Sequence, residues 1–300
     1  MYMLTDSFYG KAFICFIIFF NKALSSVSPI PAYLPKSFDE CMVLSSKYNP
    51  GIASNQRDWK LITLFYNNFI TGKSYNSKEY IPKKIHQIWL GSPFPSKYTA
   101  WQETWKKFHP DWEYFLWTDA DIEKFGLYNK DMYDAAKNYG QKSDIARYEI
   151  LYRIGGLYID TDFECFKSFD LLHHCCDFYA GVAYGSTAII LYNGLIGSRA
   201  KHPILKECIE SLKAQKKNVD PYAHILHKTG PFHFTRAYKK HIATSGGAPL
   251  LLPVTYLYPW PEYMRREKDN LHLWLKPESF AMHHWEVSWK ENAHINFARH

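Results

Sequence analysis

Apolar and polar positions follow two regimes along this 300-residue chain, with a boundary near residue 80. Residues 12–20 (A-F-I-C-F-I-I-F-F) form an unbroken apolar run after Lys11, followed by a small and polar stretch at 21–26. These nine residues fall short of the roughly 20 that a membrane-spanning helix needs. They match the apolar stretch of a secretory signal in length. Export or membrane attachment is therefore expected of segment 1–35, which ends in a connector stiffened by Pro29, Pro31 and Pro35. The cytoplasmic face of a membrane is the alternative location. Between 38 and 71, Trp59, Ile62, Leu64, Phe65 and Phe69 recur at helical spacing, which predicts short helices in a cap spanning 36–80. A turn-forming stretch at 72–77 (G-K-S-Y-N-S) closes it.

Beyond residue 80 the pattern switches to short apolar runs between longer amphipathic ones. It predicts strands at 84–90, 113–117, 157–162, 178–184 and 188–196. Helices are expected at 97–108, at 131–154 with an interruption at Gly140, at 203–215 and at 232–241. Gly155-Gly156 stops the long helix, because glycine takes the left-handed cap without strain. Strands alternating with helices read as an α/β sandwich, here one sizeable domain at 81–300.

Composition changes this picture little. Apolar residues at 47% and charged residues at 22% are ordinary for a globular protein. The aromatic share of 18% is not, and it supplies flat faces for stacking on sugars or bases beyond those that pack a core. A net charge of +7 suits a phosphate-bearing ligand or an anionic membrane surface. No Lys/Arg run is dense enough for a nucleic-acid groove, so nucleic acid is excluded as a partner. The six cysteines show no C-x-x-C spacing. His173-His174-Cys175-Cys176 has metal-ligand types, but neighbours on an extended segment point to opposite faces and cannot close on one ion.

The sharpest local feature is Gly155-Gly156-Leu157-Tyr158-Ile159-Asp160-Thr161-Asp162. On a strand Asp160 and Asp162 project to one side, their Cα atoms roughly 6.6 Å apart. Two carboxylates so placed repel one another, and a hard cation such as Mn²⁺ or Mg²⁺ relieves that while also taking phosphate oxygens. By spacing alone the pair is better described as a solvated loop entry. Upstream, Ser143-Asp144-x-x-Arg147-Tyr148 places an i,i+3 pair on one helix face. It reads either as a surface ion pair worth a few tenths of a kcal/mol or as a device carrying Asp144 and Arg147 beside the acidic strand.

Several separated pieces, taken in order, resemble the sugar-binding region of the DXD-containing glycosyltransferases. That group holds fungal initiating mannosyltransferases, bacterial capsule and lipopolysaccharide sugar transferases, and the large clostridial glucosylating toxins. Residues 81–91 (I-P-K-K-I-H-Q-I-W-L-G) resemble its opening strand, and Pro110-Asp111-Trp112 with Leu116-Trp117 its second. Ser143-Asp144 through Asp160-Thr161-Asp162 resembles its central signature. Asn193, Thr229-Gly230-Pro231 and His283-His284-Trp285 with Ser288-Trp289 resemble its downstream pieces. The resemblance implies a GT-A type, Rossmann-like α/β/α sandwich behind the helical N-terminal cap, with a nucleotide-sugar at the carboxyl ends of the strands. It implies Trp89 and Tyr148 at the donor, with Trp89 near the base. It implies Asp144 and Arg147 as catalytic residues touching the donor sugar, and Asn193 near that sugar. Asp160 would hold the ribose or reach the metal through water, and the catalytic Asp162 would ligate it directly. Ser288 and Trp289 would close over the diphosphate, with His283 or Ser288 as the third metal contact.

The implied activity is divalent-metal-dependent transfer of a hexose from a nucleotide-diphosphate sugar to a glycan or lipid-linked saccharide, with retained anomeric configuration. A protein acceptor, as for the toxins, is the alternative within that reading. Two other classes compete. One is a metal-dependent phosphatase, against which Phe163-Glu164 stands where such sites carry a small residue and a hydroxyl. The other is an inactive nucleotide-sugar-binding module, which the intact acidic residues disfavour.

Overall fold

Two five-residue runs, K-I-H-Q-I and E-Y-F-L-W, begin the central sheet as β1 (Lys84–Ile88) and β2 (Glu113–Trp117), paired in parallel from Lys84↔Glu113 to Ile88↔Trp117. The computed structural model describes residues 36–42, 49–53, 56–73, 78–183, 189–214, 221–245 and 249–286. On its other edge β1 pairs in parallel with β3 (Gly156–Ile159). The sheet then continues through β6 (Leu191–Ser198), β5 (Phe178–Val182) and β7 (Leu250–Leu252), in the order β2-β1-β3-β6-β5-β7. Only β6 runs against the others, since its pairings with β3 and β5 are antiparallel and the rest are parallel. A two-stranded ladder of β4 (Phe163–Cys165) and β8 (Ala281–His283) sets Phe163 opposite His283. The expected α/β architecture is present, built on a central mixed sheet.

Among the helices, α1 (Arg57–Ile70) packs on β7 and α2 (Thr99–Phe108) on β4. The centre of the fold is α3 (Tyr139–Ile154), in which every residue from Asp144 to Leu151 is buried, polar ones included. A helix covered all round reads as a core helix. Its cover includes β3, β6 and α4 (Pro203–Ser211), and α4 in turn packs on α5 (Pro231–Ser245). The cap helices join the same compact unit, residues 33–300. Trp59, Ile62, Tyr66 and Phe69 are buried, and the Tyr66 hydroxyl lies 2.9 Å from that of Tyr256.

Three local expectations change. The strand expected to run to Asp162 stops at Ile159: Asp160 N–H donates to Gly194 C=O at 2.7 Å, and Phe163 N–H then turns back to Asp160 C=O. Asp160 and Asp162 therefore sit on a turn. The helix expected at 131–154 breaks at 136–138 rather than at Gly140, because the Asn138 side chain accepts from Gln141 N–H at 3.2 Å and caps α3 there. His173–Cys175 close the helix Asp170–Cys175 rather than lying extended, and the His173 ring is spent on Ile81 C=O and the Tyr179 hydroxyl.

The expected export or membrane attachment does not stand. Among the described residues no helix is long and apolar enough to cross a membrane. The run at 12–20 is itself too short to span one, and segment 1–35 lies outside the described residues.

Candidate donor and metal site

Because β1 lies between β2 and β3, the chain leaves it in one direction and returns on its other side. The crevice outside the carboxyl ends of β1 and β3 is where ligands bind in open α/β sheets. Trp89 leaves β1 at this crevice, half-buried, with its backbone N–H on Trp117 C=O and its indole N–H donating to Ser92 Oγ at 3.0 Å. Aromatic rings continue from it through Tyr98 and Trp101 to His284, which stacks on Trp101 at 4.1 Å.

Gly155 and Gly156 make the tight passage from α3 into β3, and Gly156 lies hard against β1. Their φ angles are +74° and +113°, and a Cβ would stand 2.7 Å from Ala200 N and 2.6 Å from Lys84 O respectively. Only glycine makes this junction. It fixes how far Asp144 and Arg147, about three and two turns back, stand from the acidic turn that follows β3.

Arg147 is 4% exposed and joins the two halves of the site. Its Nη2 lies 3.2 Å from both Asp144 Oδ1 and Asp160 Oδ1, its Nη1 donates to Asn193 C=O at 2.6 Å, and its guanidinium covers the Tyr158 ring at 4.4 Å. The Tyr158 hydroxyl donates to Asp160 Oδ1 at 2.7 Å. Asp144 accepts from Asn193 Nδ2 and from Thr229 Oγ1, each at 2.8 Å. Burial pushes the Asp144 carboxyl above its usual range despite the Arg147 charge beside it. Burial likewise raises Asp160, against the pull of Arg147 and with the repulsion of Asp162 added.

Asp162 is held from the opposite side. The β4–β8 ladder delivers His283, whose Nε2 lies 2.9 Å from Asp162 Oδ1, and the Glu286 N–H donates to Oδ2 at 2.8 Å. Burial raises this carboxyl too, but the His283 charge and these hydrogen bonds outweigh it and hold it below its usual value. One ligand atom each from Asp160, Asp162 and His283 lies within 4.8 Å of the others. Three carboxylates, those of buried Asp144 and Asp162 and half-buried Asp160, thus meet one arginine and one imidazole. The donor set of two carboxylates and an imidazole fits Mn²⁺, and its carboxylates fit Mg²⁺.

The structure brings together Asp144, Arg147, Asp160, Asp162, Asn193 and His283 in one cluster and sets Trp89 at the end of β1. Tyr148 lies beneath them, fully buried, its hydroxyl donating to Thr229 C=O at 2.7 Å and accepting from Asn193 Nδ2. It positions Asn193. Ser288 and Trp289 lie outside the described residues. Thr229, Tyr158, Gly194 and the Glu286 N–H also belong to the site. Thr229 stands in a sequence match without an assigned role, and a backbone donor such as Glu286 N–H leaves no trace in side-chain identity.

Residues 95–177 match the family model described as "Glycosyltransferase sugar-binding region containing DXD motif". Inositol phosphoceramide mannosyltransferase 3 of Schizosaccharomyces pombe is 27% identical over 71% of this chain and 62% of its own. Inositol phosphoceramide mannosyltransferase 2 of the same organism is 30% identical over 68% of this chain and 58% of its own. The chain thus spans less than two thirds of the length of these relatives. Among solved structures, a PaToxG glycosyltransferase aligns with a TM-score of 0.45 at 21% identity, over 61% of this chain and 77% of that one.

Proposed function

Since residues 95–177 belong to the glycosyltransferase sugar-binding regions that contain a DXD motif, we propose that this chain transfers a hexose from a nucleotide-diphosphate sugar to a glycan or lipid-linked acceptor, with a divalent metal. The observation that carries the proposal is the convergence of Asp160, Asp162 and His283 on one point, backed by the buried Asp144–Arg147 pair. The names of the fungal relatives favour mannose as the sugar and an inositol phosphoceramide as the acceptor class.

Asp160, Asp162 and His283 would hold the ion, and Mn²⁺ or Mg²⁺ bound there would supply Lewis-acid stabilisation of charge on the departing diphosphate. Arg147 orients Asp160 and neutralises part of the carboxylate excess, so the site is preorganised before the donor arrives. Trp89 offers its ring to the base, a stacking contact worth about 1–3 kcal/mol. Both Asp144 oxygens are engaged, by Asn193 and Arg147 on one side and Thr229 on the other. A carboxylate so tied is a poor covalent nucleophile. This disfavours a glycosyl-enzyme at Asp144, so the retention that the family resemblance implies would proceed by attack of the acceptor on the face the diphosphate leaves.

The test is nucleotide diphosphate release from a panel of UDP- and GDP-sugars in Mn²⁺, with and without inositol phosphoceramide. Release from GDP-mannose, lost with EDTA and in Asp162→Ala, is the expected result. Neither release nor binding of any donor in Mn²⁺ would remove the proposal.

A further inference from the structure

The segment after β8 crosses the metal triad as a strap. Its residue Trp285 has a left-handed backbone, φ +53°, and is wedged by a 4.2 Å ring contact with His283 and an indole N–H donated to Trp260 C=O at 2.8 Å. Non-glycine residues hold such a conformation only where their surroundings impose it, often at switchable sites. The next residue, Glu286, turns its N–H to Asp162 Oδ2 and its side chain to two lysines. Lys97 Nζ lies 3.1 Å from Glu286 Oε2, and Lys268 Nζ pairs with Oε1. The two cations come from different loops. Lys97 stands in the turn Ser96–Tyr98, whose Tyr98 ring packs on Trp89, and Lys268 stands in the loop after Glu262–Met264. Both lysines are half-exposed or more, and ion pairs of that kind add little to stability. Anchoring the strap is therefore a weak reason for two cations to meet one carboxylate beside a metal site.

We propose that the Glu286 carboxylate is an internal placeholder for the donor's diphosphate, holding Lys97 and Lys268 until the diphosphate takes them over. The inference rests on the reading of the triad as a metal site that receives a nucleotide-diphosphate sugar, and it deepens that reading by adding two phosphate-binding cations and a competitor. The donor's diphosphate carries two negative charges and gains a third when the sugar leaves, while the carboxylates of Asp160 and Asp162 already offset the ion's own charge; the remainder is what two lysines next to the ion would meet. Glu286 keeps these flexible side chains ordered and on station. Its cost is competition, so removing its charge strengthens diphosphate binding, whereas removing a mere strut would weaken it.

The measurement is the affinity of the full chain for GDP and for UDP in saturating Mn²⁺, by calorimetry. The proteins are wild type, Glu286→Gln, Lys97→Ala, Lys268→Ala and Glu286→Gln in the double-lysine background. Mn²⁺ affinity without nucleotide and thermal unfolding are followed in each. Glu286→Gln is expected to tighten nucleotide binding about threefold to tenfold, the scale of two half-exposed ion pairs, with Mn²⁺ affinity unchanged because its backbone N–H remains. Each lysine variant weakens binding, and the gain disappears when both lysines are gone. Wild-type binding that Glu286→Gln leaves unchanged or weakens overturns the placeholder alone. Absence of any nucleotide binding to folded wild type overturns the donor-site reading and the placeholder with it.

Discussion

Asp160 keeps its place at the site because residue 194 has no side chain: a Cβ there would stand 2.6 Å from Asp160 Oδ2. Gly194→Ala therefore displaces the carboxylate without touching a ligand residue. Mn²⁺ affinity is expected to fall about ten- to a hundredfold, as for other losses of ligand support, in a titration of the folded variant. An unchanged affinity would mean that Asp160 is not a ligand. Thr229→Val removes the hydroxyl donor on Asp144 Oδ2 and leaves a buried carboxylate short of a partner. That costs about 1–3 kcal/mol, measurable by urea denaturation, and a neutral outcome would show that Asp144 is satisfied without it. At this scale the sequence was informative about charge and silent about support. Asp144, Arg147, Asp160, Asp162 and His283 stood out through the ordered family resemblance, since their spacings alone also describe solvated charges. Gly194 did not, since a glycine within a strand gains meaning only from the side chain that crosses it.

The site is assembled by junctions between elements rather than by the elements themselves. Gly155→Ala forces an L residue to φ +74° and sets its Cβ 2.7 Å from Ala200 N. The conformation alone costs about 1–2 kcal/mol, so a larger loss is expected in equilibrium unfolding, and a loss below that range would contradict the junction described here. Asn138→Ala removes the cap of α3, a cost of about 1 kcal/mol. The sequence placed β2 to the residue and located α3, β3 and β6 within a few positions. It misplaced the end of β3 because Asp160 and Asp162, two apart, read as a same-face pair on a strand while the backbone has already turned at Asp160. It misplaced the break before α3 because Gly140 attracts attention and the capping Asn138 decides. It also read Asp144 and Arg147 as open to the surface as readily as to a site. Nothing in a 3.6-residue period reveals that α4, β3 and β6 will cover the helix that carries them.

Across the whole molecule, ordered matches of separated motifs pointed to the sugar-binding region that residues 95–177 match and to the α/β class, while the membrane expectation drawn from residues 12–20 failed. The buried histidines are a property of the fold as a whole. Burial depresses His86, His202 and His233 to about 4 and His173 to about 3, from an ordinary 6.5. His86 shows how the neutral form is fixed: its Nδ1 accepts from the Trp117 indole at 3.1 Å, so its Nε2–H donates to Gly155 C=O at 2.9 Å. Between pH 6.5 and about 4 the unfolded chain binds more protons at these four positions than the folded one. Stability therefore declines as pH falls through that window, each depressed unit being worth about 1.4 kcal/mol. Asp144, Glu149 and Asp160, raised by burial, act in the opposite sense, as does His283, where Asp162 more than offsets burial. With His109, His227 and His241, which burial also depresses, seven histidines outnumber these four groups, so the unfolding midpoint is expected to be lower at pH 5 than at pH 7; a midpoint that rises toward pH 5 would contradict this assignment. The central claim, that Asp160, Asp162 and His283 form one divalent-cation site, is tested most directly by counting bound Mn²⁺ from the loss of the free-ion signal in electron paramagnetic resonance. One ion per chain in the wild type, none in Asp162→Ala and weakened binding in His283→Ala is the predicted result. Equal Mn²⁺ binding by wild type and a folded Asp162→Ala protein would contradict it.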